Sequence, residues 1–197
     1  MKDNQLFPVF LKLNQLKLLI VGGGNIALEK LITILNNSPL TDITIVSKHF
    51  HYKIVELTDF YSNITLIEKP YHKSDLYSAD LIIAATDNGY LNNKIYKDAK
   101  RKKILINVVD QPELCDFYMS SIVNKGHLKL AFSSNGLSPT TSKRLRQFFE
   151  DVLPEDINEL ILELHQIRRR IKGDLREKVN QLNLLTKTFE NTNFLKK

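Results

Sequence analysis

Cysteine is all but absent: Cys115 stands alone in a chain of 197 residues. That excludes an intramolecular disulfide and any multi-cysteine zinc site or cluster, and the acidic neighbour Asp116 marks Cys115 as a small packed side chain rather than a reactive thiolate. No apolar run approaches the roughly 18 to 20 residues that span a bilayer, and the start Met1-Lys2-Asp3-Asn4 lacks the apolar stretch of a signal peptide. The expectation is a cytoplasmic protein with no membrane partner. The five histidines, His49, His51, His72, His127 and His165, show no paired ligand spacing, so no resident metal is expected. The net charge of +6 suits an anionic partner, but basic residues are spread along the chain. The one dense run, Arg168-Arg169-Arg170, sits among acidic neighbours and reads as a solvated or dimer-facing helix face. No nucleic acid is expected. Hydrophobic residues at 43% and charged residues at 25% are ordinary for a folded protein and argue against global disorder.

What is present is an apolar strand running into glycines: Leu18-Leu19-Ile20-Val21-Gly22-Gly23-Gly24-Asn25-Ile26-Ala27. Gly22 permits a tight turn and Gly24 lets backbone N–H groups approach a pyrophosphate. Ala27, the third small position, allows the following helix to pack closely on the strand. The positive end of the helix dipole then faces the phosphates. The pattern reads as a dinucleotide cradle.

Upstream, Pro8–Leu13 looks like a short edge strand joined through Asn14-Gln15 to the strand at 17–21. Downstream, a helix runs from about Asn25 to Asn37, with Ile26, Leu28, Leu31, Ile32 and Leu35 at helical spacing. Strands follow at 43–46, 64–67, 81–85 and 104–109, with helices near 51–62 and 90–102. This alternation implies right-handed crossovers and a parallel sheet, so the loops after Val21, Val46, Ala85 and Val109 share the edge where ligands bind. After Pro112 the pattern changes. Phe117–Val123 and Leu128–Ser133 read as a hairpin turning at Asn124-Lys125-Gly126, Ser138-Pro139 opens a helix, and residues 155–190 are mostly helical. Their apolar stripe runs through Leu160, Ile161, Leu164, Ile167, Ile171 and Leu175. The expected fold class is α/β: a Rossmann-type parallel sheet domain over 1–113, a small α+β dimerisation region over 114–150 and a C-terminal helical region over 151–197. So small a hairpin and helices bury little alone, and a homodimer is expected.

In order and spacing, five blocks make the chain resemble the precorrin-2 dehydrogenase family, which occurs alone or as the N-terminal module of siroheme synthase. They are Val21–Ala27, Ala84-Ala85-Thr86-Asp87, Asn107-Val108-Val109-Asp110, Phe117–Ser121 and Ser133-Ser134-Asn135-Gly136-Leu137-Ser138-Pro139. The resemblance covers about residues 5–150. It implies an NAD-dependent oxidation of precorrin-2 to sirohydrochlorin in siroheme or cobalamin synthesis, and some members also insert the metal ion. Relatives often carry proline where this chain has Ser120, which bears on the shape of that loop. A non-catalytic NAD-sensing module is the rival from another class, and it has no need of Asp110 or of the block from Phe117 to Pro139.

The resemblance places the functional aspartate at Asp110, at a strand end. A carboxylate there suits accepting a proton, orienting a pyrrole N–H or binding incoming Fe²⁺, and the sequence does not choose among these. For the cofactor, Gly22 and Gly24 form the turn, and matching positions add Asn25, Ile26, Lys48 and His49, with Thr86, Asp87, Asn107 and Val108 toward the nicotinamide. The second strand ends in Ser47-Lys48-His49 instead of the acidic residue that usually bonds the ribose, and Asp42 lies at the wrong end. Lys48 also tolerates the extra phosphate of NADP, so NAD follows from the resemblance. For the substrate, a tetrapyrrole rimmed with carboxylates, Ser133, Ser134 and Asn135 offer hydroxyls and backbone amides, and Lys143, Arg144 and Arg146 offer charge. Ser134 matches a serine that is phosphorylated in relatives.

Overall fold

The computed structural model describes residues 4–171 and 174–186. The chain divides into two compact units, one up to Met119 and one from Ser120 onward.

In the first unit, five strands form a parallel sheet in the order β3-β2-β1-β4-β5. They are β1 (Lys17–Val21), β2 (Asp42–Ser47), β3 (Ile64–Glu68), β4 (Leu81–Ala84) and β5 (Leu105–Val108). Helices α1 (Asn25–Asn37), α2 (Tyr52–Phe60) and α3 (Gly89–Lys102) connect them, with a 3₁₀ segment at Lys73–Ser78 before β4. This is the Rossmann-type arrangement expected of strands alternating with helices. β1 and β4 are central because they can be: Leu18–Val21 and Leu81–Ala84 are apolar on both sides of the pleat and buried throughout. Alternation then splits the core. Leu18, Ile20, Ile43, Ile45 and Ile83 face α1 and α2, meeting Leu31, Leu35 and Ile54. Leu19, Val21, Val46, Ile82 and Ile106 face the other way, toward Leu76, Ile95 and Ala99.

Two expectations need correction. Pro8–Leu13 is not a strand; the residues before β1 are irregular up to a 3₁₀ turn at Leu13–Gln15. β1 already pairs with β2 on one side and β4 on the other, so the segment leading into it has no edge to join as a hairpin. The buried stripe of α1 is Ala27, Leu28, Leu31, Ile34 and Leu35, while Ile32 is exposed.

In the second unit, β6 (Ser121–Lys125) and β7 (Leu128–Phe132) form an antiparallel hairpin. Asn124 pairs with Lys129 and Lys125 with Leu128, so both belong to the strand and the loop is the two residues Gly126-His127 instead of the expected Asn124-Lys125-Gly126, with Gly126 at φ +62°. α4 (Pro139–Val152) packs on the hairpin through Phe149, whose ring stacks on Phe132 at 5.2 Å. α5 (Ile157–Arg170) and α6 (Leu175–Thr186) follow. Asn158 of α5 accepts the His127 N–H at 2.8 Å and so clasps the hairpin turn. The expected C-terminal stripe is half-buried at Leu160, Ile161, Leu164, Ile167 and Ile171; the Leu175 side chain lies outside the described residues.

Candidate functional site

Register aligns the carboxyl ends of four strands. Val21 pairs with Val46 on one side and with Ala84 on the other, and Ala84 pairs with Val108. One step further stand Gly22, Ser47, Ala85 and Val109. The strand order reverses between β1 and β4, which is where an open α/β sheet leaves a crevice for a ligand.

The glycines fill three different roles. Gly22 has φ +124°, and a Cβ there would overlap the Ala85 carbonyl. Gly23 is packed as tightly: its Cβ would collide with the His49 carbonyl, and its own carbonyl accepts the His51 N–H at 2.7 Å. Gly24 faces open space, with no atom within 4 Å of where a Cβ would stand. It is also the N-cap of α1 and provides no side-chain cap, so the first-turn amides of Asn25 and Ile26 lack that partner. An uncapped helix start beside an open glycine fits the pyrophosphate of a dinucleotide. Sequence reasoning assigned Gly22 and Gly24 and missed Gly23, whose partner comes from the loop after β2.

At the end of β2, Ser47 is half-buried, and Lys48 and His49 are exposed. Asp42 is the first residue of β2, at the opposite end. The register sets Glu68 of β3 beside Ser47, a carboxylate at this edge that reading β2 alone does not reveal. Beyond β4, Asp87 is exposed. The Thr86 hydroxyl donates to Asn92 Oδ1 at 2.6 Å, and Asn92 Nδ2 donates to the Thr86 carbonyl at 3.0 Å.

Beyond β5, Asp110 is exposed and takes left-handed backbone at φ +59°, a conformation that aspartate tolerates better than most residues. Asn107 and Val108 lie within β5 and are buried. Asn107 Nδ2 donates to the Phe117 carbonyl at 2.8 Å, which ties the chain after β5 to the strand. Cys115 packs against the same strand, and burial pushes its thiol pKa up, the opposite of activation.

The remaining candidates lie in the second unit. Ser133 Oγ accepts the Asn135 N–H at 3.2 Å and Ser134 Oγ the Ser138 N–H at 3.0 Å. Asn135 and Gly136 take positive φ of 54° and 77°, making a tight turn into α4. Lys143 and Arg144 are exposed on α4, and Arg146 pairs with Glu150 at 2.6 Å. Among the described residues, no group of three or more His, Cys, Asp or Glu is placed to hold a metal ion, and no helix is long and apolar enough to cross a membrane.

Comparison with known proteins places residues 9–121 in a family described as "Putative NAD(P)-binding". The chain is 35% identical over 176 residues to the siroheme synthase of Psychrobacter arcticus, a match that covers 89% of this chain and 31% of that protein. It is 37% identical over 174 residues to the siroheme synthase of Methylococcus capsulatus, covering 88% and 34%. The chain thus spans about a third of the length of these curated relatives. A solved structure of SirC, a precorrin-2 dehydrogenase, superposes with a TM-score of 0.74 over 91% of this chain and 89% of the other. At 22% identity that likeness shows the fold.

Proposed function

Because the chain belongs to the NAD(P)-binding family, we propose that it uses NAD to dehydrogenate precorrin-2 to sirohydrochlorin, in siroheme or cobalamin synthesis in the cytoplasm. The observation that carries this reading is the position of Asp110. It is exposed, it stands two residues past the end of β5, and it shares the carboxyl edge with the open glycine turn at Gly24. A module that only bound a nucleotide would need the turn and not the carboxylate. The likeness to siroheme synthases over 89% of the chain adds support.

NAD bound along this edge supplies the hydride acceptor. In this reading Gly22 shapes the turn, and Gly24, Asn25 and Ile26 offer room and backbone amides to the pyrophosphate. Ser47, Lys48 and His49 border the adenosine ribose, while Thr86, Asp87, Asn107 and Val108 belong to the nicotinamide side. The oxidation removes one hydride and one proton from the tetrapyrrole, giving NADH, the more conjugated macrocycle and a proton. Asp110 takes that proton or holds the pyrrole nitrogen that loses it. The substrate carboxylates are met by the amides and hydroxyls of Ser133, Ser134 and Asn135 and by the cations of Lys143, Arg144 and Arg146.

A homodimer formed through the second unit completes the proposal. Each strand of its hairpin has one neighbour, and Leu137, Leu145 and Phe148 around it are exposed. Size-exclusion chromatography with light scattering at micromolar concentration checks this, and a monomer would refute it.

The decisive assay is anaerobic precorrin-2 with NAD, followed by absorbance. Formation of sirohydrochlorin at a rate that scales with enzyme is expected. Tight NAD binding with no turnover would replace the enzyme by a nucleotide sensor. Adding Fe²⁺ or Co²⁺ at the end point reads metal insertion in the same cuvette.

A further inference from the structure

Asn92 lies in the first turn of α3, on the face that carries Ile95 and Ala99 into the core, and it is 3% exposed. An apolar residue is the default there, because a buried carboxamide costs free energy unless its polar atoms are matched. The helix does not need Asn92 for capping, since Asn88 Oδ1 already accepts the Leu91 N–H at 3.0 Å. Both ends of the Asn92 carboxamide are instead committed to one residue. Oδ1 accepts the Thr86 hydroxyl at 2.6 Å, and Nδ2 donates to the Thr86 carbonyl at 3.0 Å.

That pair of bonds fixes a peptide plane at the edge of the sheet. The Thr86–Asp87 bond is trans, so with the Thr86 carbonyl held by Asn92 the Asp87 N–H points away from Asn92. The same loop begins against the glycine turn: the Ala85 N–H donates to the Val21 carbonyl at 2.8 Å, and Gly22 is kept free of a Cβ by the Ala85 carbonyl. The oriented amide therefore stands at the crevice between β1 and β4.

We propose that Asn92 is a positioning residue for the dinucleotide, holding the Thr86–Asp87 peptide so that the Asp87 amide is presented to the ligand. This rests on the dinucleotide lying in that crevice, as in the function proposed above. Asn92 does not touch the ligand; it acts through Thr86. Loss of the carboxamide removes the bond to the Thr86 carbonyl and leaves the Thr86 hydroxyl with its longer contacts to the Asn88 backbone at 3.2 and 3.3 Å, so the peptide is less well held and the ligand must bind at the expense of ordering it.

The test is Asn92→Leu, which keeps the volume and removes both bonds, and Asn92→Asp, which keeps an acceptor for the Thr86 hydroxyl and removes the donor to the carbonyl. NADH affinity is read by nucleotide fluorescence, KM for NAD and kcat by the precorrin-2 assay, and folding by thermal melting. The expected result is NADH binding about tenfold weaker or worse in Asn92→Leu, with KM for NAD rising by a similar factor and kcat much less affected. A dissociation constant and KM within about twofold of the parent would overturn the proposal whatever the melting temperature does, since that is what a purely structural role predicts. If Asn92→Leu does not fold, the carboxamide resonances of Asn92 in ¹⁵N-labelled parent protein decide: they must shift on NADH saturation, and unmoved resonances refute the role. A chain that binds NADH without oxidising precorrin-2 overturns the proposed reaction and still leaves Asn92 to be judged by affinity. A chain that binds neither NADH nor NADPH overturns both.

Discussion

Asp116 closes the outer edge of β5 by bonding Ile106 twice: its N–H donates to the Ile106 carbonyl at 2.8 Å, and its Oδ2 accepts the Ile106 N–H at 3.1 Å. Cys115 does the same for Val108, with Sγ accepting the N–H at 3.3 Å and donating to the carbonyl at 3.2 Å. An edge strand otherwise offers these groups to any other chain. Asp116 also pairs with Lys100 of α3 at 2.7 Å, joining the edge to the helix that covers it.

Asp116→Ala is expected to destabilise the protein by about 1 to 3 kcal/mol, because it leaves the Ile106 N–H without its acceptor and opens the edge. Asp116→Asn keeps an acceptor and weakens the pairing with Lys100, an exposed contact worth about 1 kcal/mol at most. It should lose less. Urea denaturation ranks the two, and equal losses would show that the ion pair matters more than the edge.

The three glycines should separate by what they do. Gly23→Ala must displace the His49 carbonyl, and Gly22→Ala both strains the backbone and meets the Ala85 carbonyl. Each should cost at least about 2 kcal/mol. Gly24 has φ −89° and open space around it, so Gly24→Ala should stay within about 0.5 kcal/mol of the parent. Its methyl group intrudes only when a nucleotide arrives. Parent-like melting with NADH affinity lowered about tenfold is expected; unchanged affinity would mean that the pyrophosphate does not lie on this turn.

Much of this architecture can be read from the chain alone. Leu18–Val21 and Leu81–Ala84 announce central strands because they are apolar on both faces, and the turn from Val21 into Asn25 places the helix start. The edge position of Asp110 follows from the same alternation. What escapes is information held by distant parts of the chain. Whether Pro8–Leu13 can pair depends on both sides of β1 being taken, and the crowding at Gly23 depends on His49. Nothing in the spacing of the helix singles out Asn92, whose role depends on its bonds to Thr86. Asn107 sits in an apolar strand, and only the return of the chain at Phe117 shows where its amide goes.

Asp110 allows chemistry and backbone to be tested apart. Its left-handed φ costs an L-residue on the order of 1 kcal/mol, which glycine does not incur. Asp110→Gly should therefore fold with stability within about 1 kcal/mol of the parent or slightly above it. The same variant should retain NADH binding and lose precorrin-2 turnover, as should Asp110→Ala. Near-normal turnover in either variant would remove Asp110 from the mechanism.

Tyr71 predicts how the fold responds to alkali. Its side chain is buried and its hydroxyl donates to Asp98 Oδ2 at 3.3 Å. Burial first, and then the Asp98 charge, push its pKa well above the usual phenol value. The unfolded chain releases this proton near pH 10, whereas the folded chain still holds it, so the stabilisation is fully present below about pH 10 and declines as pH rises past that point. The pKa of Lys100 is raised by its hydrogen bond to Asp116 and acts in the same direction, but that side chain is exposed and its pairing contributes little. Tyr71→Phe should cost about 1 kcal/mol at neutral pH for the lost hydrogen bond. Above pH 10 its stability should fall less steeply than that of the parent. Denaturation midpoints measured between about pH 7 and 11 check this, and parallel slopes for the two proteins would show that the phenol is not what the alkaline limb reports.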